Sequence, residues 1–400
     1  MSYIRRVLFI LLCFQASLFA QAQVSTDALK SQLTSLRELL RDTARFRSTH
    51  APVLMDQLMD WNEITRRKFE ANWVNLTKSW QLRFERAIRQ RLSEVFTQYL
   101  IHNAATLRRA ESRWFDEEIG ITRAKASLEI VQNQEIVRIA LRLSFSENRW
   151  RIYDIRTPEF RLLRDLLPDC DEKISDGYSN EYVEALITNA EHFVIDDFNA
   201  VESGVFPRNW GWRKRDDDLM RSSQRVYSVV KDSQDSYLSA IARGTSVALV
   251  RPYSYDLREY PVLKWKWRVN TMPPASSQND AIENAASVTV IFYQNWLGVP
   301  ITITYAWAYE GGTCTTVKTS GWLYDNFSIV LRNAQSPHGQ WIEETINLRE
   351  DYKRIFGEYP PDQIAGLYII TDSPNFQFPT TADYDHIRAQ KSTTTYSCRN

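Results

Sequence analysis

The chain has 400 residues, 44% of them hydrophobic, and its 49 Lys and Arg residues balance its 49 Asp and Glu residues. The absence of a strongly basic segment argues against nucleic acid as a partner, and the apolar content argues against a wholly disordered chain. A chain of this length has enough apolar residues to form two cored domains.

The N-terminus has the pattern of a secretory signal peptide. Arg5 and Arg6 precede a short apolar stretch that is closed by the small residues Ala20 and Ala22. This pattern predicts cleavage after residues 1–22 and a periplasmic location, the alternative being a retained anchor. Elsewhere the sequence has no apolar run long enough to span a membrane.

Three cysteines remain after the predicted cleavage, namely Cys170, Cys314 and Cys398. In the oxidising periplasm an odd number permits at most one intramolecular disulfide. The sequence does not decide whether Cys314 pairs with Cys398. No Cys-x-x-C motif indicates a metal or redox site.

Residues 27–115 have helical periodicity. Apolar residues recur every three or four positions, which predicts long amphipathic helices. The two clearest rows are Leu29, Leu33, Leu36 and Leu40, and then Leu76, Trp80, Phe84, Ile88, Leu92 and Phe96.

After Gly120 the period changes to two. Val137, Ile139, Leu141 and Leu143 alternate with polar or small residues, and a turn at "SENR" leads into the returning strand "WRIYDI". We therefore predict an α+β domain over residues 23–167, with helices packed on a curled antiparallel sheet. Alternation alone does not decide whether the sheet covers a solid core or encloses a cavity, although a solid core is the more frequent outcome.

The stretch 50–96 and the strand "WRIYDI" carry a resemblance of residues 27–165 to the MlaC family of periplasmic phospholipid-binding proteins, also called toluene-tolerance auxiliary proteins. The resemblance implies a pocket for the acyl chains of a phospholipid. On "WRIYDI", Trp150 and Ile152 are expected on one side of the strand and Tyr153 and Ile155 on the other. The candidate lipid-binding residues are Val137, Ile139, Leu141, Leu143, Trp150, Ile152, Tyr153 and Ile155.

Residues 168–190 are rich in polar and turn residues and are predicted to be a linker. From residue 191 to 390, β-branched and aromatic runs alternate with turns, which predicts an all-β, jelly-roll-like sandwich. Residues 391–400 form a tail. The predicted strands include "QRVYSVV", "SYLSAIA", "TSVALVRPY", "PVLKWKWRV", "ASVTVIFY", "ITITYAWAY", "NFSIVLR", "QWIEETINL" and "IAGLYIITD".

This second half resembles an uncharacterised family of bacterial secreted domains. The motifs that carry the resemblance are "YPVLKWKWRV", "TYAWA", "GQWIEETINLREDYKRIFGEYP" and "YIITDSPN". The resemblance implies a sandwich similar to the galactose-binding type and no established activity.

Two sets of residues in the second half are candidates for ligand binding. Trp265 and Trp267 lie two positions apart, so they share a strand face and are candidates to stack on a sugar ring or contact lipid, the alternative being a core role. Asp196, Asp197 and Asp372 are potential oxygen ligands for a structural Ca²⁺, but nothing in the sequence brings them together, and we predict neither a metal site nor a cofactor.

The sequence contains no G-x-S-x-G, H-E-x-x-H, phosphate-loop or dinucleotide-binding glycine motif, so we predict that the protein is not an enzyme. Glu343 and Glu344 are adjacent in a predicted strand, where they point to opposite faces and do not form an acid and base pair.

The function expected from these patterns is periplasmic phospholipid binding or lipid transfer that contributes to outer-membrane lipid homeostasis, with the sandwich as a docking domain. The implied partners are phospholipid, an inner-membrane lipid transporter and an outer-membrane lipoprotein complex, with peripheral membrane contact through the basic N-terminal half. The alternative is an envelope carbohydrate-binding or protein-interaction module in which the helical domain is a spacer.

Overall fold

A computed structural model describes residues 50–107, 111–120, 122–132, 135–147, 149–158, 160–211, 217–233, 235–272, 284–294, 299–320, 325–373, 378–393 and 395–398. The predicted signal peptide and the predicted leucine row from Leu29 to Leu40 lie outside these residues. No helix within the described ranges is long and apolar enough to cross a membrane.

The chain divides into two compact units. One contains the residues up to Asp176 together with Leu186–Asn189, and the other contains Gly177–Ala185 and the residues from Ala190 onward. We call them the N-terminal and C-terminal units.

The N-terminal unit combines helices with one antiparallel sheet. Its strands follow one another in the order β1-β2-β3-β4, as short turns between alternating sequences favour. Its elements are α1 (His50–Leu58), α2 (Trp61–Phe69), a 3-10 helix (Glu70–Asn75), α3 (Lys78–Leu107), β1 (Glu111–Ile119), β2 (Arg123–Gln132), β3 (Glu135–Ser146), β4 (Arg149–Arg156), α4 (Leu162–Asp165) and α5 (Cys170–Ser175).

The junction of α1 and α2 fixes these helices to the sheet. The Asp60 carboxylate caps α2 by accepting a hydrogen bond from the Glu63 backbone N–H at 3.0 Å, and it also accepts one from the Ser144 hydroxyl of β3. The Asp60 backbone N–H donates to the Ile152 carbonyl of β4 at 2.9 Å. Asp60 therefore connects the turn between α1 and α2 to two strands of the sheet, β3 and β4.

A β-bulge in β4 changes which side chains share a face. Leu143 is opposite Ile152, whereas Leu141 is opposite Ile155, because an extra residue is inserted between them in β4. Directly opposed residues point to the same side of a sheet. Ile152 and Ile155 therefore share a face, and the predicted placement of Ile155 on the opposite face is wrong.

The segment 168–190 is folded, so its prediction as a linker is corrected. It contains α5 and a further helix, α6 (Asn180–Thr188). Tyr182 and Val183 of α6 are buried, and the Tyr182 ring packs edge-on against Tyr260 with centroids 5.9 Å apart. Polar residues in this segment cover the exposed sides of short helices, which composition alone does not separate from a linker.

The C-terminal unit is mostly β-structure. Its elements are β5 (His192–Asp196), α7 (Asp217–Val226), β6 (Tyr227–Lys231), β7 (Ser236–Ala242), β8 (Thr245–Pro252), β9 (Val262–Thr271), β10 (Asn284–Gln294), β11 (Pro300–Ala308), β12 (Thr316–Ser320), β13 (Asp325–Arg332), β14 (Ile342–Asn347), α8 (Leu348–Phe356), β15 (Gly366–Ser373) and β16 (Thr380–Gln390).

These strands form two sheets. The first has the order β12-β13-β11-β10-β15-β8, and the second has the order β14-β9-β16-β7-β6, with β5 also paired to β16. β11 and β13 run parallel, so the first sheet is mixed. The predicted jelly roll, which is built from antiparallel pairs, is therefore not what these strands show, although two β-sheets are present.

The two sheets pack through aromatic side chains. Trp267 of the second sheet contacts Trp307 of the first with ring centroids 5.6 Å apart. The Tyr227 hydroxyl is fully buried, where it donates to the Val247 carbonyl at 2.8 Å and accepts from the Thr371 N–H at 3.0 Å. Large rings thus fill the space between the sheets, and the buried hydroxyl of Tyr227 has hydrogen-bond partners there.

The structure contains a disulfide between Cys314 and Cys398, a pairing that the sequence alone did not decide. It holds the C-terminal segment near β14, where the Ser397 N–H donates to the Thr345 carbonyl at 2.6 Å. Cys170 is a buried free thiol whose pKa burial raises to about 12, so it is not a reactive cysteine at neutral pH.

Candidate functional site

The predicted lipid-binding residues are buried from solvent in the N-terminal unit. The side chain of Val137 lies outside the described set. The other seven are at most 5% exposed: Ile139, Leu141, Leu143, Trp150, Ile152, Tyr153 and Ile155. Met59, at the end of α1, forms a bridge with Ile152, and the Arg67 guanidinium of α2 lies 4.4 Å from the centre of the Tyr153 ring. Ile152 and Tyr153 therefore contact the helices of the same unit, and the lipid-binding role of the seven residues stays a prediction.

A cavity of about 450 Å³ lies beside α3. Its described lining consists of Arg86, Arg89, Gln90, Ser93, Glu94, Thr97 and Gln98. These residues form a stripe on α3 next to the buried row of Phe84, Ile88, Leu92 and Phe96.

The cavity lining supplies cations and hydrogen-bonding groups. Arg86 and Arg89 are exposed at its edge, where Arg89 pairs with Asp56 of α1. Ser93 is 8% exposed and lies deepest along the stripe. A guanidinium beside hydroxyl and amide groups is suited to a phosphate or carboxylate.

The outer face of the second sheet carries an exposed aromatic and cationic cluster, Trp341, Arg268 and Tyr237, which we call the aromatic face. The Arg268 guanidinium lies 4.5 Å from the centre of the Trp341 ring and 5.1 Å from that of Tyr237. The two rings meet edge to face with centroids 5.5 Å apart. Trp341 is 36% exposed, so its ring is accessible for stacking.

Two acids, the buried Asp383 and the exposed Glu343, orient the cations of this face. The Asp383 carboxylate is 4% exposed and accepts hydrogen bonds from Arg268 at 2.7 Å and from the Asn270 amide at 2.9 Å. Glu343 pairs with Lys264 at 3.0 Å and with Arg388 at 2.9 Å. Burial works against ionisation of Glu343, but the hydrogen bond from Lys264 and the charge of Arg388 outweigh it, so the pKa of Glu343 is lowered.

Glu343 and Glu344 point to opposite sides of β14, as predicted from their adjacency. Glu344 is fully buried, where it accepts hydrogen bonds from Arg332 at 2.6 Å and from the Trp267 indole at 3.1 Å. A buried carboxylate paired in this way has a structural role.

The predicted stacking pair Trp265 and Trp267 is corrected to a core pair. Both side chains are fully buried between the sheets, with ring centroids 5.6 Å apart. The sequence placed both tryptophans on one face, and that face is the inner one because it packs against Tyr305 and Trp307 of the first sheet.

Asp196, Asp197 and Asp372, the three acids considered as Ca²⁺ ligands, do not form one site. Asp196 accepts from the Trp210 indole at 2.8 Å and pairs with Arg251 at 3.1 Å, and Asp197 accepts from the Asn199 N–H at 3.2 Å. Among the residues that the structure describes, they do not gather with Asp372 as a group of potential metal ligands; a different group does so, Asp235, Asp385 and His386.

Sequence analysis missed the aromatic face and the strand β16. The signal was present in "TADYDHIRAQ", where Ala382 and Tyr384 alternate with Asp383 and Asp385. Acidic residues are depleted in strands, so this alternation was not read as a strand. In the structure Asp383 and Asp385 lie opposite Arg268 and Lys266 of β9, and Asp383 forms an ion pair with Arg268.

The fold is therefore an α+β unit followed by a two-sheet β unit. A family model described as "Protein of unknown function (DUF3047)" matches residues 210–388, within the C-terminal unit. No model of the MlaC family matches the N-terminal unit. A search of curated proteins finds no match.

Among solved structures, the chain is similar to a phospholipid-binding protein from Ralstonia solanacearum, with 16% identity over 38% of this chain and 86% of that chain and a TM-score of 0.32. It is similar to a family 11 carbohydrate-binding module of a Clostridium thermocellum cellulosomal cellulase, with 13% identity over 50% and 95% of the two chains and a TM-score of 0.24. A family 12 xyloglucanase from Bacillus licheniformis shares 9% identity over 50% and 93% with a TM-score of 0.25. Values this low establish neither a shared family nor a shared function.

Proposed function

We propose that the protein binds a phospholipid in its N-terminal unit, with the headgroup at the cavity beside α3. The observation that carries the proposal is the cavity itself. Its volume of about 450 Å³ lies within the usual range of small-molecule sites, and two arginines stand at its edge. The motifs that resemble MlaC lie in the same unit and support the same ligand class.

Charge and apolar contact have different roles in such a site. Burial of each acyl methylene contributes about 0.8 kcal/mol, so the chains supply most of the affinity. Arg86 then orients the phosphate, because a guanidinium donates two parallel hydrogen bonds to phosphate oxygens. In this proposal the acyl chains contact the apolar strand residues from Ile139 to Ile155, which stay the candidate lipid-binding residues.

The proposal includes a place in the envelope. In this proposal the protein exchanges lipid with an inner-membrane transporter and an outer-membrane lipoprotein complex and acts as a carrier, not as an enzyme. The disulfide between Cys314 and Cys398 supports an oxidising compartment. In this scheme the C-terminal unit serves as the docking unit.

The test is native mass spectrometry of the mature protein purified from a periplasm, with extraction of bound lipid. Wild-type protein is expected to carry phospholipid, and Ser93→Trp, which fills the cavity, is expected to lose it. Leu82→Trp is the matched control, because Leu82 is exposed on the same helix and is not part of the described lining.

Two results would contradict lipid binding. One is a wild-type protein that stays empty after incubation with phospholipid vesicles, and the other is a folded Ser93→Trp variant that binds as wild type does. If Ser93→Trp fails to fold by circular dichroism, Arg86→Glu tests the headgroup contact. Arg91→Glu is its control, because Arg91 is half-buried on the same helix and is not part of the described lining.

A second function is favoured by the aromatic face, namely binding of an envelope carbohydrate by the C-terminal unit. An exposed Trp ring held by Arg268, beside hydrogen-bonding Asn270 and Asp383, supplies the stacking surface and the polar groups that a sugar needs.

A glycan array and a peptidoglycan pull-down test this second function. Trp341→Ala is expected to abolish binding. Tyr359→Ala is the control and is expected to retain binding. Tyr359 is also exposed and its ring also contacts cations, Arg349 and Lys353, but it lies beside α8 and outside the aromatic face. Absence of binding by wild type, or equal binding by both variants, would reject the aromatic face as a sugar site.

A further inference from the structure

A histidine and two aspartates meet at the edge of the second sheet. Asp385 and His386 are consecutive in β16, and Asp235 immediately precedes β7. One potential ligand atom from each residue lies within 4.8 Å of the others. Neither the lipid cavity nor the aromatic face includes these three side chains.

A bulge in β16 explains how consecutive residues meet. In a regular strand Asp385 and His386 point to opposite faces. The pairing with β9 shifts between Asp385 and Arg388, and His386 has a positive φ of 52°. The bulge re-aims the imidazole, so its Nδ1 lies 2.5 Å from the Asp385 carboxylate.

The contacts of Asp385 determine which ring nitrogen of His386 is available to bind a metal ion. Asp385 is 4% exposed, and its second oxygen accepts a hydrogen bond from the His386 backbone N–H at 2.6 Å. A carboxylate at Nδ1 keeps the proton there and leaves the lone pair on Nε2. Nε2 in turn lies 3.6 Å from the Asp235 carboxylate.

The distance of 3.6 Å between His386 Nε2 and the Asp235 carboxylate fits two ligands of one metal ion. In tetrahedral zinc sites, nitrogen and oxygen ligands lie about 2.0–2.2 Å from the metal, which places neighbouring ligand atoms about 3.4 Å apart. The side chains of His386 and Asp235 are 31% and 36% exposed, so an ion has a route to them from solvent. A carboxylate that hydrogen-bonds the far nitrogen of a ligating histidine is the usual support of such a site.

We propose that the Nε2 atom of His386 and the carboxylate of Asp235 bind a divalent transition-metal ion of the zinc class, with Asp385 as the positioning residue. An imidazole among the ligands favours Zn²⁺, Co²⁺ or Ni²⁺ over Ca²⁺ and Mg²⁺. Two protein ligands leave further positions to water or to an oxygen of a bound molecule, so the ion is exchangeable. The site is independent of lipid binding by the N-terminal unit.

The experiment is titration of the intact, untagged mature protein with Zn²⁺ by isothermal calorimetry and with Co²⁺ by visible absorption. The expected result is one ion per chain and a Co²⁺ spectrum of low coordination number. His386→Asn and Asp235→Asn are expected to weaken binding more than 100-fold, and Asp385→Asn by about 10- to 100-fold. Asparagine is chosen at position 386 because it tolerates a positive φ.

His338→Asn is the matched control, because His338 is exposed elsewhere in the same unit, and it is expected to bind as wild type does. The proposal is overturned if wild type binds no ion, or if His386→Asn and Asp235→Asn bind with wild-type affinity. If His386→Asn does not fold, Asp235→Asn decides the question, because its side-chain oxygen still accepts the Ser236 N–H that Asp235 accepts at 2.9 Å.

Discussion

At the residue scale, Glu63 shows how a single acid connects a helix to the sheet in the N-terminal unit. Its carboxylate accepts from Arg66 at 2.9 Å and Arg67 at 2.6 Å on α2, and it pairs with Arg123 of β2 at 2.8 Å. Burial works against ionisation, but the hydrogen bonds of Arg66 and Arg67 and the charge of Arg123 together outweigh it, so the pKa of Glu63 lies below its usual 4.5.

A lowered carboxyl pKa stabilises the folded protein above the unfolded value near 4.5, and this stabilisation is lost as the pH falls through the folded pKa. We predict that Glu63→Gln lowers the free energy of unfolding by about 1.5–3 kcal/mol at pH 7, the usual contribution of hydrogen bonds to charged groups. The difference from wild type is expected to narrow below pH 4.5.

Urea denaturation at pH 7, 5, 4 and 3 measures this difference. Glu70→Gln is the control, because it removes an exposed carboxylate at the end of the same helix. A difference that stays constant over this pH range would show that ionisation of Glu63 does not contribute.

At the element scale, the strands show what alternation predicts and where it fails. In β9 the period of two correctly placed Trp265 and Trp267 on one face. The sequence did not reveal which face is buried, because that depends on Tyr305 and Trp307 in a distant strand. Bulges in β4 and β16 break the period within a strand, so Ile155 and His386 lie where alternation does not predict them.

The C-terminal segment is held by an element-scale constraint, the disulfide from Cys314 to Cys398. The bond closes a loop over a sequence separation of 84 residues. In the chain-entropy model a loop of that length stabilises the folded state by about 4.5 kcal/mol. We predict that Cys398→Ser lowers the unfolding free energy of the C-terminal unit by up to about that amount.

Urea denaturation with and without a reductant checks this prediction. The wild-type midpoint is expected to fall on reduction to that of Cys398→Ser, while reductant leaves the variant unchanged. Equal wild-type midpoints under both conditions would contradict a stabilising disulfide.

At the scale of the whole molecule, the sequence predicted two units and their classes better than it predicted their sites. Hydrophobic periods define helices and strands locally, which is why an α+β unit and a β-rich unit followed from them. The cavity beside α3 is different, because Arg86 and Ser93 lie on the polar side of α3, where a solvated face is the ordinary interpretation. The proposed metal site depends on a bulge in β16 and on residues 150 positions apart, Asp235 and Asp385, so no local sequence pattern predicts it.

Charge is the other whole-molecule property, and it separates the two halves of the chain. Residues 23–167 contain 25 Lys and Arg against 19 Asp and Glu, and residues 168–400 contain 22 against 30. Arg83, Arg86 and Arg89 are exposed at intervals of three on α3, and Arg86 and Arg89 also line the cavity. An anionic bilayer attracts such a stripe by about 1 kcal/mol per cation near its surface, although the chain as a whole is neutral.

We therefore predict salt-sensitive binding to vesicles that contain anionic lipid, and little binding to zwitterionic vesicles. The triple variant Arg83→Gln, Arg86→Gln and Arg89→Gln is expected to weaken binding by at most roughly a hundredfold, as three such cations imply. Vesicle co-sedimentation at 0.1 M and 1 M salt measures it, because the screening length falls from about 10 Å to 3 Å. The control variant replaces Arg221, Arg225 and Arg243, three exposed arginines of the C-terminal unit, with Gln. If both triple variants lose binding equally, attraction depends on net charge and the stripe on α3 has no special role as the membrane-facing surface.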